Sequence, residues 1–411
     1  MSDRLDPARH AWLAAPDTRR VMDALSPGDS DRARFVGGCV RNAIMGRAVD
    51  DVDIATQLEP EAAREALEAA AIKVVPTGLA HGTITAVAEG KPFEVTSLRK
   101  DVETFGRRAV VAFTTDWAED ARRRDFRLNS IYARRDGSLY DPFGGIDDAR
   151  AGRVVFIGEA RERIGEDYLR ILRFYRFNAW YGAGIDAEGQ AACAELAATL
   201  RDLSAERVWK ELKKLLAAPD PRAAVQAMHE GHVLKEVLPF RLDFNLFAGI
   251  INGDRGTSRE PDALLRLVAL LGREGNAVES VMSAMKASNA ERARAGAMIA
   301  RAGDPRLRPG MDPGARGRAL YALGAEAVIA RLRLDEAEGL GAVEDDLAAA
   351  RAWSRPRFPL TGKDLVKAGV QPGPELGDIL ARLEAEWIDS AFSLRRAALL
   401  KRAGELAGGS A

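Results

Sequence analysis

Short alternating runs crowd the first third of the chain. Thr83-Ile84-Thr85-Ala86-Val87 and Phe93-Glu94-Val95-Thr96 put an apolar residue at every second position, as a strand with one buried face does. RFVGG (34–38), VDIAT (52–56), HGTITAVAEG (81–90), FEVTSL (93–98) and VVAFTT (110–115) read as strands or strand ends, with EAAREALEAAAI (61–72) as a helix among them. SLYDPFGGIDDARAGRVVFIG (138–158) reads as a strand, a turn-rich stretch and a second strand. RKDVETFGRR (99–108) is polar, has no period and reads as a mobile loop. Beyond residue 158, Ala, Leu, Arg and Glu recur at helical spacing and strand signals fade. Helices are predicted at 163–181, 187–201, 205–217, 222–230, 261–272, 276–287, 290–302, 315–325 and 375–389, punctuated by Pro and Gly clusters at 304–314 and 356–374. The pattern predicts a small mixed α/β head followed by a long all-helical body, with no fixed-period repeat.

Composition narrows this picture. A length of 411 residues allows two to four domains, and 47% hydrophobic with 29% charged residues is globular rather than disordered. Sixty basic residues against 61 acidic ones exclude a uniformly basic nucleic-acid coat but leave room for a local basic groove. Cys39 and Cys193 are too few for a disulfide framework or a cysteine zinc site, and His10, His81, His229 and His232 lack the spacing of a metal cluster. The N-terminus, MSDRLDPARHAW, lacks the apolar core of a signal peptide, and no apolar run reaches the ~18 residues of a membrane span. A soluble cytoplasmic protein is expected.

The most informative stretch is FVGGCVRNAIMGRAVDDVDIAT (35–56). Asp51 and Asp53, two apart in a β-type run, are expected on one strand face, with Val52 and Ile54 toward the core. Adjacent carboxylates repel unless a cation sits between them, and hard oxygen ligands suit Mg²⁺ completed by waters and phosphates. A solvated strand edge is the competing explanation of an isolated Asp-x-Asp. Gly37-Gly38 alters the balance: it forms a tight turn into a helix starting at VRNAIM (40–45), and Arg41 in its first turn can offer a charged fork to a triphosphate. Glu94, between inward Phe93 and Val95, should face away from the core and is the third carboxylate candidate; an ordinary exposed strand Glu is the alternative.

Further on, ARRRDFRLNSIYARR (121–135) sets six arginines against Asp125 alone, with Phe126 and Leu128 expected to pack inward. In EDYLRILRFYRF (166–177), Asp167 and Arg170 are three apart and so neighbours on one helix face; by themselves they read first as a helix salt bridge. SAERVWKELKKLL (204–216) has Ser204 as an N-cap candidate, Val208, Leu212, Leu215 and Leu216 as core, and Arg207, Lys210, Lys213 and Lys214 as either an ordinary charged helix face or contacts to a phosphate backbone. His81 reads better as a turn residue than as a catalytic base.

Together, GGCVRN…DVD, HGTITAV, FEVTSLR, RRRDFRLNSIY and EDYLRILRFYRF resemble the bacterial class II tRNA nucleotidyltransferases, the CCA-adding enzymes of the poly(A) polymerase family. SAERVWKELKKLL and FPLTGKDLVKAGVQPGPELGDIL (358–380) extend the likeness. The resemblance implies an α+β chain: an N-terminal helical segment (1–26), a polymerase-β-like nucleotidyltransferase head (27–158), a helical neck for base recognition and RNA binding (159–240), and a helical body and tail that bind tRNA (241–411). It implies Asp51 and Asp53 as catalytic Mg²⁺ ligands with Glu94 assisting. It makes Gly38, Arg41, Arg124, Asp167, Arg170, Arg173 and Arg176 nucleotide-binding, with Gly37, Asp125 and Asn129 close by. The implied reaction adds or repairs the 3′-terminal CCA of tRNA from CTP and ATP, with no membrane or DNA partner. Poly(A) synthesis, CC-only or A-only addition, and non-catalytic RNA binding are the alternatives. Asn42 and Arg127 depart from the family, which has Asp and Thr there.

One chemical argument supports base choice in the neck. Cytosine and adenine offer an amino donor beside a ring-nitrogen acceptor, whereas uracil and guanine offer a carbonyl beside an N–H. A carboxylate next to a guanidinium complements the first pair and opposes the second. Because an i, i+3 row winds around the helix at about 100° per residue, Asp167, Arg170, Arg173 and Arg176 cannot all meet one base.

Overall fold

A computed structural model describes residues 4–28, 30–78, 82–105, 108–299 and 307–408, so His81 lies outside the described residues. The chain forms two compact units, Met1–Pro239 and Phe240–Ala411. The N-terminal helix expected within 1–26 is α1 (Pro16–Leu25), which buries Val21, Met22 and Leu25.

The head is a seven-stranded sheet. Its elements are β1 (Ala33–Val36), α2 (Gly38–Ile44), β2 (Asp53–Thr56), α3 (Pro60–Ala69), β3 (Lys73–Gly78), β4 (Thr83–Ala88) and β5 (Lys91–Ser97). After these come β6 (Arg99–Phe105), β7 (Arg108–Phe113), α4 (Trp117–Arg122), β8 (Tyr132–Ala133), β9 (Leu139–Tyr140) and α5 (Gly145–Ala151). The strand order is β3-β4-β5-β2-β1-β8-β9, with β2 and β5 parallel and the other pairs antiparallel. Alternation in the sequence becomes alternation in burial: β4 shows every second residue buried, and Phe93 and Val95 of β5 are interior while Glu94 is exposed.

Two expectations fail in the head. The polar segment 99–108 is no loop: Arg99–Phe105 pairs antiparallel with Arg108–Phe113 as a separate two-stranded sheet. Periodicity reports the side-chain pattern, whereas strand pairing is made by the backbone and can form beneath a polar sequence. In 138–158, the second expected strand reduces to one bridge, Phe126 to Phe156, and the turn-rich stretch holds α5. The Asp141 carboxylate starts that helix by accepting from the backbone N–H groups of Gly145 (2.9 Å) and Ile146 (2.8 Å). Gly145 is required there, because a Cβ would lie 2.0 Å from the Arg127 carbonyl oxygen.

The same unit continues as helices: α6 (Ala160–Glu166), α7 (Leu169–Tyr181), α8 (Ala187–Glu195), α9 (Ala205–Leu216), α10 (Arg222–Glu230) and α11 (Leu234–Val237). The expected single helix 163–181 is broken. Asp167 is extended (φ −153°, ψ 104°), and its carboxylate accepts from the Leu169 N–H at 3.2 Å, which starts the second helix. Val208, Leu212, Leu215 and Leu216 of α9 are all buried, each such side chain contributing about 1.5–3 kcal/mol.

Among the described residues, the regular elements of the second unit are all helices. They include Phe244–Gly256, Ala325–Ala337, Glu344–Ala352 and Arg396–Gly408, none of which the sequence pattern marked. One core gathers Tyr321, Leu365, Leu383, Trp387 and Leu399, and another Leu320, Val328, Leu332 and Leu347. Asp254 is buried between Arg266 and Arg333, so these helices also share an internal ion cluster. The TGKDL segment starts the short helix Gly362–Lys367 with a Thr361–Asp364 capping box.

Candidate active site

Glycine, carboxylate and arginine meet where β1 turns into α2. Gly37 adopts φ +69°, a conformation a side chain disfavours. A Cβ there would lie 3.7 Å from Arg124 Nη1 and 4.0 Å from Asp53 Oδ2. The turn therefore stays open toward one cation and one anion.

Asp53 is the first residue of β2, and its register partner on the parallel strand β5 is Glu94. In-register neighbours of adjacent strands point to the same face, so Glu94 is the carboxylate that the sheet sets beside Asp53. Asp51 corrects the sequence argument. It precedes the strand, in exposed coil, so strand alternation does not place it. The ladder decides where β2 begins, and neither β1 nor β5 pairs with residues before Asp53. Asp51 nevertheless acts on Asp53 electrostatically. Burial first, then the charges of Glu94 and Asp51, push the Asp53 carboxyl up to about 6, against the opposing pull of Arg124.

That crowding is the observation that tests the fit of a metal. Carboxylate oxygens gathered around a half-buried acid are hard donors that suit Mg²⁺. Among the described residues no three His, Cys, Asp or Glu side chains form a ready-made metal shell. Oxygen donors of this kind fit an ion whose other positions would be filled by water and phosphate oxygens.

A cavity of about 470 Å³ opens from this point. Of the residues singled out in the sequence, it is lined by Gly37, Gly38, Arg41, Asp53, Arg124, Asp125, Asn129, Asp167, Arg170 and Arg173. Asp51, Glu94 and Arg176 are not in its lining. Arg123, Leu169, Phe177 and Arg207 are, and the sequence did not give them this place. The six arginines of 121–135 part company: Arg123 and Arg124 reach the cavity, whereas Arg134 and Arg135 pair with Asp31 and Asp23 elsewhere in the head. Phe126 and Leu128 are buried as expected.

Arg41 is not a free fork. Its Nη1 donates to Asn129 Oδ1 (2.6 Å), its Nη2 to Asn42 Oδ1 (2.8 Å) and to Tyr181 Oη (2.7 Å), and its guanidinium stacks 4.0 Å from the Tyr181 ring. Every acceptor is neutral. Among the described residues no carboxylate forms an ion pair with Arg41, so it lends the cavity an uncompensated positive charge. Asn42, the departure from the family, keeps both a carbonyl for Arg41 and an amide N–H for the Ala48 carbonyl (3.0 Å). Asp125 accepts from Asn129 Nδ2 (3.0 Å) and Arg173 Nε (2.7 Å), and the Arg173 charge holds its carboxyl low despite burial.

The neck side of the cavity also departs from expectation. Asp167 and Arg170 are not paired on one helix face. Arg207 of α9 donates to both Asp167 oxygens, at 2.9 and 2.7 Å. Arg170 instead donates to Glu166, to the Arg163 carbonyl (2.6 Å) and to the Arg123 carbonyl (3.1 Å). Arg176 forms an ion pair with Glu211 of α9 at 2.6 Å, away from the cavity lining. Local spacing joined Asp167 to Arg170; the break in the helix separates them, and α9 supplies the arginine instead.

A carboxylate pair on a mixed sheet, beside a glycine turn and a cationic cavity, is apparatus for transferring a phosphate-bearing group. Comparison with known proteins gives the class. Residues 33–155 match the poly A polymerase head domain, and residues 184–243 match the family described as the probable RNA and SrmB-binding site of polymerase A. The chain is 33% identical over 399 residues to CCA tRNA nucleotidyltransferase 1, mitochondrial, of Mus musculus, covering 93% of this chain and 88% of that protein. It is 30% identical over 405 residues to the CCA-adding enzyme of Lacticaseibacillus paracasei, covering 96% and 98%. The crystal structure of the Bacillus stearothermophilus CCA-adding enzyme in complex with CTP superposes with a TM-score of 0.74 at 26% identity, covering 91% of this chain and 92% of that one. The chain belongs to the CCA-adding tRNA nucleotidyltransferases of the poly(A) polymerase family.

Proposed function

We propose that this enzyme builds and repairs the 3′-terminal CCA of tRNA from CTP and ATP, without a template. The observation that carries the reading is the single cavity in which Asp53, the Gly37-Gly38 turn, Arg124 and Asp167 meet. The 3′-hydroxyl oxygen of tRNA forms a bond to the α-phosphorus of the nucleotide, and the bond to the leaving pyrophosphate breaks. Asp51 and Asp53 hold Mg²⁺, with Glu94 beside them. When bound, the ion supplies charge neutralisation at the reacting oxygens.

The remaining roles fall to the chain's own groups. Gly37 and Gly38 let the triphosphate approach the backbone, and Arg41 and Arg124 balance its charge. Asp125 and Asn129 hold Arg173 and Arg41 in place near the ribose. Asp167 accepts from the exocyclic amino group of cytosine or adenine, Arg170 donates to the ring nitrogen, and Arg173 and Arg176 support them. Residues 27–158 form the catalytic head, 159–240 the neck, and 241–411 the body and tail that hold tRNA. No helix of the described residues is long and apolar enough to cross a membrane; a cytoplasmic location is part of the proposed reading.

The test is to sequence the 3′ ends made on tRNA lacking CCA, with CTP alone, ATP alone and both. CC with CTP alone and CCA with both is the expected result. A long A tract, or arrest after CC with both nucleotides present, overturns the assignment.

A further inference from the structure

The cavity's arginines are aimed from behind by a carboxylate that faces away from it. Asp120, on α4, is 1% exposed. Its Oδ1 accepts from Arg123 Nε (2.9 Å) and Nη2 (2.7 Å). Its Oδ2 accepts from Tyr132 Oη (2.6 Å) and from Arg124 Nη2 (3.1 Å) and Nε (3.4 Å). Tyr132 Oη in turn lies 3.3 Å from Arg124 Nε. The Tyr132 ring is fully buried on β8, edge-on to Trp117 at 5.3 Å, so its hydroxyl has a fixed position. Burial raises the Asp120 pKa, but Arg124, Arg123 and the Tyr132 hydroxyl overcome it and hold the group at about 2. Asp120 is thus a permanent anion.

One anion serves two guanidiniums, and two of the three Arg124 nitrogens are engaged. Nη1 has no hydrogen-bond partner among the described residues and is the nitrogen that faces the Gly37 turn, where a Cβ would lie 3.7 Å from it and 4.0 Å from Asp53 Oδ2. The backbone beneath is held as well: Arg163 Nη2 donates to the carbonyls of Arg123 and Arg124, both at 2.7 Å. An arginine free to rotate loses side-chain entropy when it meets a ligand, of order 2 kcal/mol. One fixed in advance meets it with less loss.

We propose that Asp120 and Tyr132 are positioning residues for Arg124, holding its guanidinium so that Nη1 stays directed at the nucleotide phosphate oxygens beside Asp53. The inference rests on the reading of the cavity as the nucleotide site. It accounts for a buried carboxylate and a buried phenol that make no contact with the cavity themselves.

The test is steady-state kinetics with CTP and ATP on tRNA lacking CCA for Tyr132→Phe, Asp120→Asn, Arg124→Ala and the Asp120→Asn/Arg124→Ala double variant. Tyr132→Phe keeps the ring and should raise KM for both nucleotides about three- to tenfold. Asp120→Asn should raise it about ten- to a hundredfold, with kcat and the preference for CTP over UTP little changed. The double variant should lose far less than the product of the two single defects, because Asp120 acts on the nucleotide chiefly through Arg124, with its contact to Arg123 supplying only the remainder. A merely structural role would instead lower the active fraction, reducing kcat at constant KM, and its effect would multiply with that of Arg124→Ala. Multiplying defects, or wild-type KM in both single variants while Arg124→Ala is impaired, overturns the proposal. Wild-type KM in Arg124→Ala itself overturns the nucleotide-contact reading, and the proposal with it.

Discussion

Replacing Asp53 by Asn should make the metal-free protein more stable while removing its activity. The carboxyl of Asp53 is pushed up to about 6 by burial and by Glu94 and Asp51, from an ordinary 3.8. A group whose pKa is raised in the folded state favours folding below its unfolded pKa, and that contribution is lost as pH rises through the folded value. Asp53 is therefore neutral and harmless near pH 4, and ionised and unfavourable at pH 7.5. A shift of about two units corresponds to about 3 kcal/mol, an upper figure because the side chain is partly exposed. Asn has nearly the same shape and no charge, so the variant should gain up to that amount at pH 7.5. The gain should shrink between pH 6 and pH 4. Urea unfolding in EDTA across this range measures it, and amide exchange in β2 and β5 locates it. Added Mg²⁺ should then stabilise the wild type and leave the variant unmoved. Equal stability of the two proteins at pH 7.5 in EDTA, or a difference independent of pH, would refute the crowding argument. Near-normal turnover in the variant would refute the ligand assignment.

Three further outcomes follow from the same geometry. Asp167→Ala removes the acceptor for the exocyclic amino group and releases Arg207, so kcat/KM for CTP and UTP should converge by about ten- to a hundredfold; unchanged discrimination would return Asp167 to a purely structural role. Single replacements of Lys210, Lys213 or Lys214 by Ala should reduce the slope of log tRNA affinity against log salt by about one, and an unchanged slope removes that lysine from the RNA footprint. Arg266→Ala leaves Asp254 with one arginine in a dry interior and should cost the helical unit about 3–5 kcal/mol in urea unfolding, whereas a loss below about 1 kcal/mol would show that water or Arg333 compensates.

What the sequence revealed divides by physical cause. Alternation in Phe93-Glu94-Val95 placed Glu94 correctly, because burial of one strand face is written into the side chains themselves. The same logic misplaced Asp51, because a strand begins where a partner strand offers hydrogen bonds, and β1 and β5 offer none before Asp53. The strand β6 was missed for another reason: its pairing with β7 is made by backbone hydrogen bonds, which leave no trace in a polar side-chain pattern. Asp141 and Gly145 carried a readable helix start, yet the density of Gly and Asp around them resembles any loop.

The charged groups of the cavity were recognisable as residue types and not as pairs. Arg41 reaches Asn129 and Tyr181, Arg173 reaches Asp125, and Asp167 reaches Arg207, across separations of 88, 140, 48 and 40 residues. Local spacing sees only neighbours on one helix, so it joined Asp167 to Arg170. The break at Asp167 is what the helical pattern of 163–181 concealed, and it has a functional consequence. A carboxylate inside a continuous helix could meet only groups on its own face. Placed in an extended residue between α6 and α7, capping the second helix with one oxygen, Asp167 faces both the cavity and Arg207 of α9. On the proposed reading, a base that meets Asp167 competes with or shares that arginine. Base choice and the packing of α9 against α7 are then one equilibrium, so Arg207→Ala should alter nucleotide selectivity together with amide exchange at the start of α9. Selectivity that shifted with no change in exchange, or the reverse, would separate the two.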